Sequence, residues 1–366
     1  MKSKKTQKLY NQFFKRQITL AEIGEEGQKR LQDTSVIIIG CGGLGGTIAI
    51  HLATSGIGKI HLVDFDKVDL TNLHRQVFFT LEDVGRPKSE VLAEAIQKRT
   101  SYTEVTFSSD PLLKNNAIQR VSPYDIVVDA TDSLPTKYLL NDVCVLQNKP
   151  LVYGSLYKFD GYVSTFNLSL NEGEYSANLR DAFPEMNTDI PNCEEAGTLN
   201  AIVGMIATAQ VNEVLKISTG VGKPLYNQLM IHNALQNSVL KMKLQNKFGK
   251  EEIQAIYDKE NYLDVSCLGQ KEEWQISPKA LRSQLTSDQR NSLELIAVLP
   301  NLKLPFEVHQ TIPIQNFKPD QIAVDPNKTY VMVCQKGFNS YKATQMMREE
   351  FPEANVLNLT GGIENY

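Results

Sequence analysis

The sequence predicts an α/β fold: a doubly wound, mainly parallel sheet with an antiparallel extension, followed by a second, smaller α/β domain. Three observations predict it. A β-branched apolar run from Thr34 to Gly40 passes through a glycine cluster into a helical stretch and a second apolar strand. Strand and helix patterns then alternate up to about residue 155, as parallel sheets with crossover helices require. Beyond a polar stretch at residues 246–270, a shorter set of such patterns starts again.

The elements follow in order. TSVIIIG reads as a fully buried strand, and GCGGLGGTIAIHLATSGIG as a glycine turn entering a helix that Gly56 closes. KIHLVDFD, Lys59 to Asp66, is the next strand and completes a βαβ unit. A helix from about Lys88 to Lys98, a strand near Thr103 to Phe107, a strong strand at DIVVDATD, a helix near Thr136 to Gln147 and the strand PLVYGS continue the pattern. After Gly154 the rhythm changes. GYVSTFNLSL alternates as an antiparallel strand does, and a polar loop runs from Asn171 to Glu195. AGTLNAIVGMIATAQVNEVLKIS is apolar nearly all round and so reads as a buried helix. LMIHNALQNSVLKMKL is two strands around a turn. These limits give a first domain over 1–245, a linker over 246–270 and a second domain over 271–366, the last with a helix at Pro278 to Leu285, a strand at TYVMVC and a helix at YKATQMMREEF.

Composition narrows the function. At 42% hydrophobic the chain can build large cores without staples. Lys+Arg 38 against Asp+Glu 42 leaves a net charge of −4, which argues against nucleic acid as main partner. No apolar run reaches the ~18 residues of a membrane span, and the basic start MKSKKTQKLYNQFFKRQ lacks the apolar core of a signal peptide. Five cysteines, Cys41, Cys144, Cys193, Cys267 and Cys334, are odd in number and include no CxxC pair. The expectation is a cytoplasmic protein without a disulfide framework.

Gly40-Cys41-Gly42-Gly43-Leu44-Gly45 satisfies GxGxxG between a strand and a helix. Glycines there let backbone N–H groups approach phosphate at a helix N-terminus, in a Rossmann-like arrangement. Asp64, closing the next strand, stands where a carboxylate accepts from a ribose hydroxyl. The charged residues around this unit argue for a triphosphate and against a dinucleotide. Asp66, Asn72 and Arg75 lie just past the second strand, Lys88 opens the next helix, Arg16 sits in FKRQ, and Asp132 can serve Mg²⁺. Several cations and one carboxylate suit transfer of a nucleotidyl or phosphoryl group. Taken singly, Arg16, Arg75 and Lys88 also read as solvated charges, and Asp132 as a helix N-cap.

KRQ, GCGGLG, DFDKVDLTNLHRQ, GRPK and DATDS, in that order over residues 10–243, resemble the MoeB/ThiF/HesA family, relatives of ubiquitin-activating enzymes. The resemblance implies a homodimer that binds ATP and Mg²⁺ and adenylylates the terminal glycine of a ubiquitin-like sulfur carrier. It implies that Gly43 and Asp64 hold the nucleotide, with Asn72, Arg75 and Lys88 around the phosphates and Asp132 serving Mg²⁺. Gly40, Gly42, Gly45, Asp66 and Ser133, the last standing where the family usually has asparagine, complete the expected nucleotide site. Arg16 would be an arginine finger reaching into the neighbouring subunit's site. Cys193, in NCEEAGT, lies where the family carries a crossover-loop cysteine; a covalent sulfur-transfer role and an inert loop cysteine both remain open. The family's structural zinc needs two CxxC pairs, but the corresponding stretches read GEYSANLRD and KLQNKFGKEE, so no structural zinc is expected.

VMVCQKGFNSYKATQMM and LNLTGGIENY resemble a rhodanese-like domain, with Cys334 in a C-x-x-G-x-x-S loop. Such a loop curls backbone N–H groups around the cysteine sulfur. An active sulfur donor, fed by a cysteine desulfurase, and a decayed domain kept for docking are the two readings; His309 reads as structural. Adenylylation followed by sulfur transfer from Cys334 would give a carrier thiocarboxylate, with a MoaD-type carrier of molybdopterin synthesis favoured over a ThiS-type carrier of thiamine synthesis. A Rossmann oxidoreductase and a non-catalytic nucleotide-binding scaffold are the alternatives from other classes.

Overall fold

The computed structural model describes residues 4–186, 197–260, 262, 272–300, 302–335 and 337–366. The chain forms two compact units, Met1–Leu263 and Asp264–Tyr366.

In the first unit, helices α1 (Lys4–Phe13), α2 (Lys15–Ile18) and α3 (Gly24–Asp33) precede the sheet. Its parallel part comprises β1 (Ser35–Ile39), β2 (Lys59–Val63), β3 (Glu104–Ser108), β4 (Ile126–Asp129) and β5 (Leu151–Tyr157). The crossovers carry α4 (Gly43–Ser55), α5 (Lys88–Gln97), α6 (Lys114–Val121) and α7 (Leu134–Leu146). β6 (Asp160–Phe166), β9 (Gln228–Asn233) and β10 (Ser238–Lys243) add the antiparallel extension, giving the order β10-β9-β6-β5-β4-β1-β2-β3. β1, β4 and most of β2 are buried on both faces, which accounts for their unbroken apolar runs. Chain order reverses between β1 and β4, so a crevice opens at the carboxyl ends of these two strands.

Three sequence expectations change in detail. The long helix α9 (Asn200–Thr219) buries Ile202, Val203, Ile206 and Val214, yet Met205 on its other side is exposed. The described part of the polar loop holds the short pair β7 (Ser169–Asn171) and β8 (Glu174–Tyr175) and helix α8 (Leu179–Ala182), with Asn178, Leu179 and Arg180 buried. The start of the expected linker is α10 (Lys250–Lys259), which belongs to the first unit. Only Ile253 and Tyr257 bury there, too narrow a stripe to register as periodicity, and Lys114 Nζ clamps the segment by donating to Asp258 O at 3.2 Å and Glu260 O at 2.8 Å.

The second unit is a parallel sheet ordered β11-β15-β14-β12-β13, from β11 (Gln275–Ile276), β12 (Leu293–Ala297), β13 (Gln310–Thr311), β14 (Thr329–Val333) and β15 (Asn355–Leu359). Helices α11 (Pro278–Leu285) and α12 (Phe338–Glu350) accompany it, and Ser277 caps α11 by accepting from Ala280 N. His309 is structural: its Nδ1 accepts from Leu295 N at 2.9 Å. Tyr366 lies over the guanidinium of Arg282 and edge-on to Phe306.

Candidate functional site

The crevice is built on glycines because nothing larger fits. Gly40, at φ +93°, directly follows β1, and a Cβ there would stand 2.6 Å from Ala130 O. A Cβ on Gly45 would fall 1.8 Å from Gly40 O, so the first turn of α4 can pack on the strand end only as glycine. At Gly43 a Cβ would meet Val203 Cγ1 at 2.6 Å and Arg75 O at 3.1 Å. The turn thus lies between the end of β4, helix α9 and the segment after β2, and the N-terminus of α4 faces the crevice.

Asp64 ties this turn to the next strand. Its two carboxylate oxygens accept from Cys41 N at 2.6 Å and Asp66 N at 2.8 Å. Burial pushes its pKa up to about 6, against the pull of Lys88. Lys88 is itself buried, with Nζ 2.8 Å from Asp66 Oδ2. Burial opposes its charge, but Asp64, Asp66 and Asp132 outweigh that and raise its pKa. A lysine buried at a helix start and held charged by three acids is an anchored cation, unlike a solvated one.

Residues 69–76 form the other wall. Asp69 opens a 3-10 turn at Leu70–Asn72 by accepting from Thr71 N. Asn72 is buried, and its carbonyl accepts from Arg75 N and Gln76 N. Arg75 Nη1 donates to Thr71 O at 3.2 Å, and among the described residues no carboxylate pairs with this guanidinium. Gln76 is buried against Gly42, and its Oε1 has no partner among the described residues. Ser133, rather than Asp132, caps α7 by accepting from Thr136 N. Asp132 therefore stays exposed on the turn after β4, inside the field of Lys88. One carboxylate beside bound phosphate is the donor set Mg²⁺ uses with a nucleotide, and no cluster able to hold a metal alone exists among the described residues.

The fold thus collects Gly40, Gly42, Gly43, Gly45, Asp64, Asp66, Asn72, Arg75, Lys88, Asp132 and Ser133 around one crevice. It does not bring Arg16 there. Gln17 Nε2 donates to Ser55 O at 2.9 Å, placing α2 at the far end of α4. The 13-residue helix puts the exposed Arg16 about 20 Å from the glycine turn. Cys193 lies outside the described residues. Cys334 directly follows β14 in the second unit, buried, its Sγ accepting from Gly337 N and Ser340 Oγ, both at 3.1 Å. Nothing in the sequence singles out Asp129, Lys137 and Gln210, buried polar residues under the turn. Their spacing gives no signal, because the partners come from different elements.

The stretches that would hold a structural zinc lie against each other without thiolates. Asp181 Oδ1 accepts from Lys247 N at 2.6 Å and Phe248 N at 3.1 Å, Asn178 Nδ2 donates to Phe248 O at 2.9 Å, and Asn246 Nδ2 to Tyr175 O at 3.0 Å. Oxygen and amide groups committed to the backbone do not fit a structural zinc. Buried Arg180 pairs with Asp142 through two N–H donors beside this clamp, and the Tyr262 hydroxyl donates to the same carboxylate.

Residues 14–252 match the model of the ThiF family. The chain is 39% identical over 231 residues to a sulfur carrier protein adenylyltransferase of Thermus thermophilus, covering 63% of this chain and 85% of that protein. It is 32% identical over 362 residues to a probable adenylyltransferase/sulfurtransferase MoeZ of Mycobacterium tuberculosis, covering 96% and 91%. It is 34% identical over 333 residues to the adenylyltransferase and sulfurtransferase MOCS3 of Aedes aegypti, covering 91% and 70%. In fold it is similar to Escherichia coli MccB crystallised with ATP, at a TM-score of 0.54 and 24% identity over 61% of this chain and 66% of that one. With a family match across most of its length, the chain belongs to the ThiF family.

Proposed function

We propose that the first unit activates the C-terminal carboxylate of a small ubiquitin-like sulfur carrier with ATP, and that the second unit delivers sulfur through Cys334. The observation that carries the first half is Lys88, buried and held charged among Asp64, Asp66 and Asp132 beside the glycine turn. The name of the Thermus relative supports the first half, and the names of the Mycobacterium and Aedes relatives support both.

Phosphate oxygens bind at the N-terminus of α4, and Asp64 takes the ribose hydroxyl. The carrier carboxylate, ionised at neutral pH, attacks the α-phosphorus and pyrophosphate leaves, so no general base is needed. Lys88 and Arg75 neutralise charge that grows on the departing phosphates. Mg²⁺, held by Asp132, would add charge neutralisation there. Arg16, at the far end of α4 in its own subunit, serves a second copy's site in a homodimer.

The terminal sulfur of a persulfide on Cys334 then attacks the acyl-adenylate carbonyl and AMP leaves. A thiol, for which Cys193 is the candidate within the chain, exchanges at the sulfur–sulfur bond and frees the carrier thiocarboxylate. A cysteine desulfurase is the source proposed for the sulfur on Cys334. We favour a MoaD-type carrier and a cytoplasmic setting; no helix among the described residues is long and apolar enough to cross a membrane.

ATP–pyrophosphate exchange with MoaD-type and ThiS-type carriers offered separately tests the reading. Exchange with one carrier, lost in Arg75→Ala and Asp132→Ala, is the expected result. Absence of ATP binding overturns it; tight ATP binding without exchange on either carrier leaves a nucleotide-binding scaffold.

A further inference from the structure

Beneath the turn that carries Asp132 lies a buried ion pair that the proposed reaction does not use. Asp129, the last residue of β4, is fully buried, and Lys137, in the first turns of α7, has a side chain only 5% exposed; Lys137 Nζ stands 2.9 Å from Asp129 Oδ2. Every other polar atom of the pair is also engaged. Asp129 Oδ1 accepts from Thr131 N at 3.0 Å and Thr131 Oγ at 2.8 Å, and Lys137 Nζ donates to Gly154 O at 2.8 Å. Gln210, from α9, donates to the Asp129 carbonyl at 2.8 Å.

The pair brackets the turn from both sides: Asp129 precedes Ala130–Ser133 and Lys137 follows it, with Lys137 N bonded to Ser133 O. Burying two charges costs desolvation that apolar residues would avoid. What this pair provides and an apolar pair cannot is a carboxylate that grips the Thr131 amide and hydroxyl, setting the turn above it.

We infer that Asp129 and Lys137 are positioning residues that fix the Asp132 turn for binding of the metal–nucleotide complex. The inference rests on the proposed role of Asp132, and its test separates the two. Hydrogen exchange over residues 130–133 of the full chain reads the turn directly and needs no ligand. Binding of ATP with Mg²⁺, and of ATP with EDTA, reads the consequence.

In Lys137→Met, exchange over 130–133 should accelerate at least tenfold while the β4 core, Ile126–Val128, stays as in wild type. Affinity for ATP with Mg²⁺ should fall about tenfold, and affinity in EDTA should change less than twofold. Lys137→Arg, which keeps the charge and can reach the same acceptors, should restore both to within about threefold. Should Lys137→Met not fold, Thr131→Val leaves the pair intact and removes only the hydroxyl grip; it should accelerate the same exchange and weaken the same Mg²⁺-dependent binding severalfold. A folded Lys137→Met, or failing that Thr131→Val, with wild-type exchange and wild-type Mg²⁺-dependent affinity overturns the positioning role. Wild-type protein that binds no ATP at all overturns the nucleotide reading instead.

Discussion

Lys88 Nζ lies 2.8 Å from Asp66 Oδ2, the lysine side chain 7% exposed and the aspartate 50%. The cation is therefore anchored from inside the protein while its partner is half exposed to solvent. Replacing it by Lys88→Met leaves Asp66 free to solvate, so the fold should tolerate the change. The ATP–pyrophosphate exchange rate should fall about 10²-fold or more, as loss of a preorganised charge in a transfer site does. Exchange within threefold of wild type would remove Lys88 from the chemistry.

Asp64 gives the site a pH dependence of known sign. With its pKa pushed up to about 6 by burial, it is ionised at pH 7.5 and mostly protonated at pH 5. If Asp64 is the ribose acceptor proposed above, ATP affinity should drop about tenfold between pH 7 and pH 5 as it is protonated, and Asp64→Asn should flatten that profile. Its stability effect runs the other way. A carboxyl raised on folding binds more protons in the native state, so its contribution to stability declines as pH rises from about 4 to 6. Titration of binding and of denaturant midpoints over this range checks both.

Gly45→Ala should cost about 3 kcal/mol or more, because the added Cβ would fall 1.8 Å from Gly40 O and only backbone can give way. Gly46, one residue on, is the control: its Cβ would meet Phe78 at an ordinary 3.5 Å. Denaturant unfolding of the two variants, followed by a probe in the first unit, should separate them clearly.

The oxygen-and-amide clamp predicts a fold that does not depend on zinc. Treating the purified chain with a zinc chelator should leave its unfolding midpoint unchanged. Asp181→Ala should lower stability by about 2 kcal/mol, because the amides of Lys247, Phe248 and Asn178 all lose their acceptor. A chelator-induced loss of structure would contradict the clamp.

The two units should fail separately. Cys334→Ser should abolish sulfur transfer and leave ATP–pyrophosphate exchange intact. Gly362→Ala should do the same through shape: at φ +62° its Cβ would stand 2.4 Å from Gln335 O and 2.5 Å from Cys334 O, forcing the cysteine loop open. Parallel assays of exchange and of sulfur transfer from thiosulfate check both variants.

Much of the molecule was legible in the chain itself. The βαβ unit, the glycine turn, Asp64 and the cations after β2 were readable because each depends on residues adjacent in sequence, where periodicity, turn chemistry and short motifs act. The length of the first unit was not, because α10 is held by Ile253, Tyr257 and the distant Lys114.

The sequence by itself determined the parallel sheet, the glycine turn between β1 and α4 and the absence of thiolates in the two stretches where a zinc would sit, since these follow from local pattern and residue type. Only the tertiary structure decided that Ser133 caps α7 and leaves Asp132 exposed, that Arg16 stands at the wrong end of α4 for its own site, and that Asp129 and Lys137 pair beneath the turn. The reason is physical: burial, electrostatic field and hydrogen-bond partnership depend on distances that chain separation does not encode.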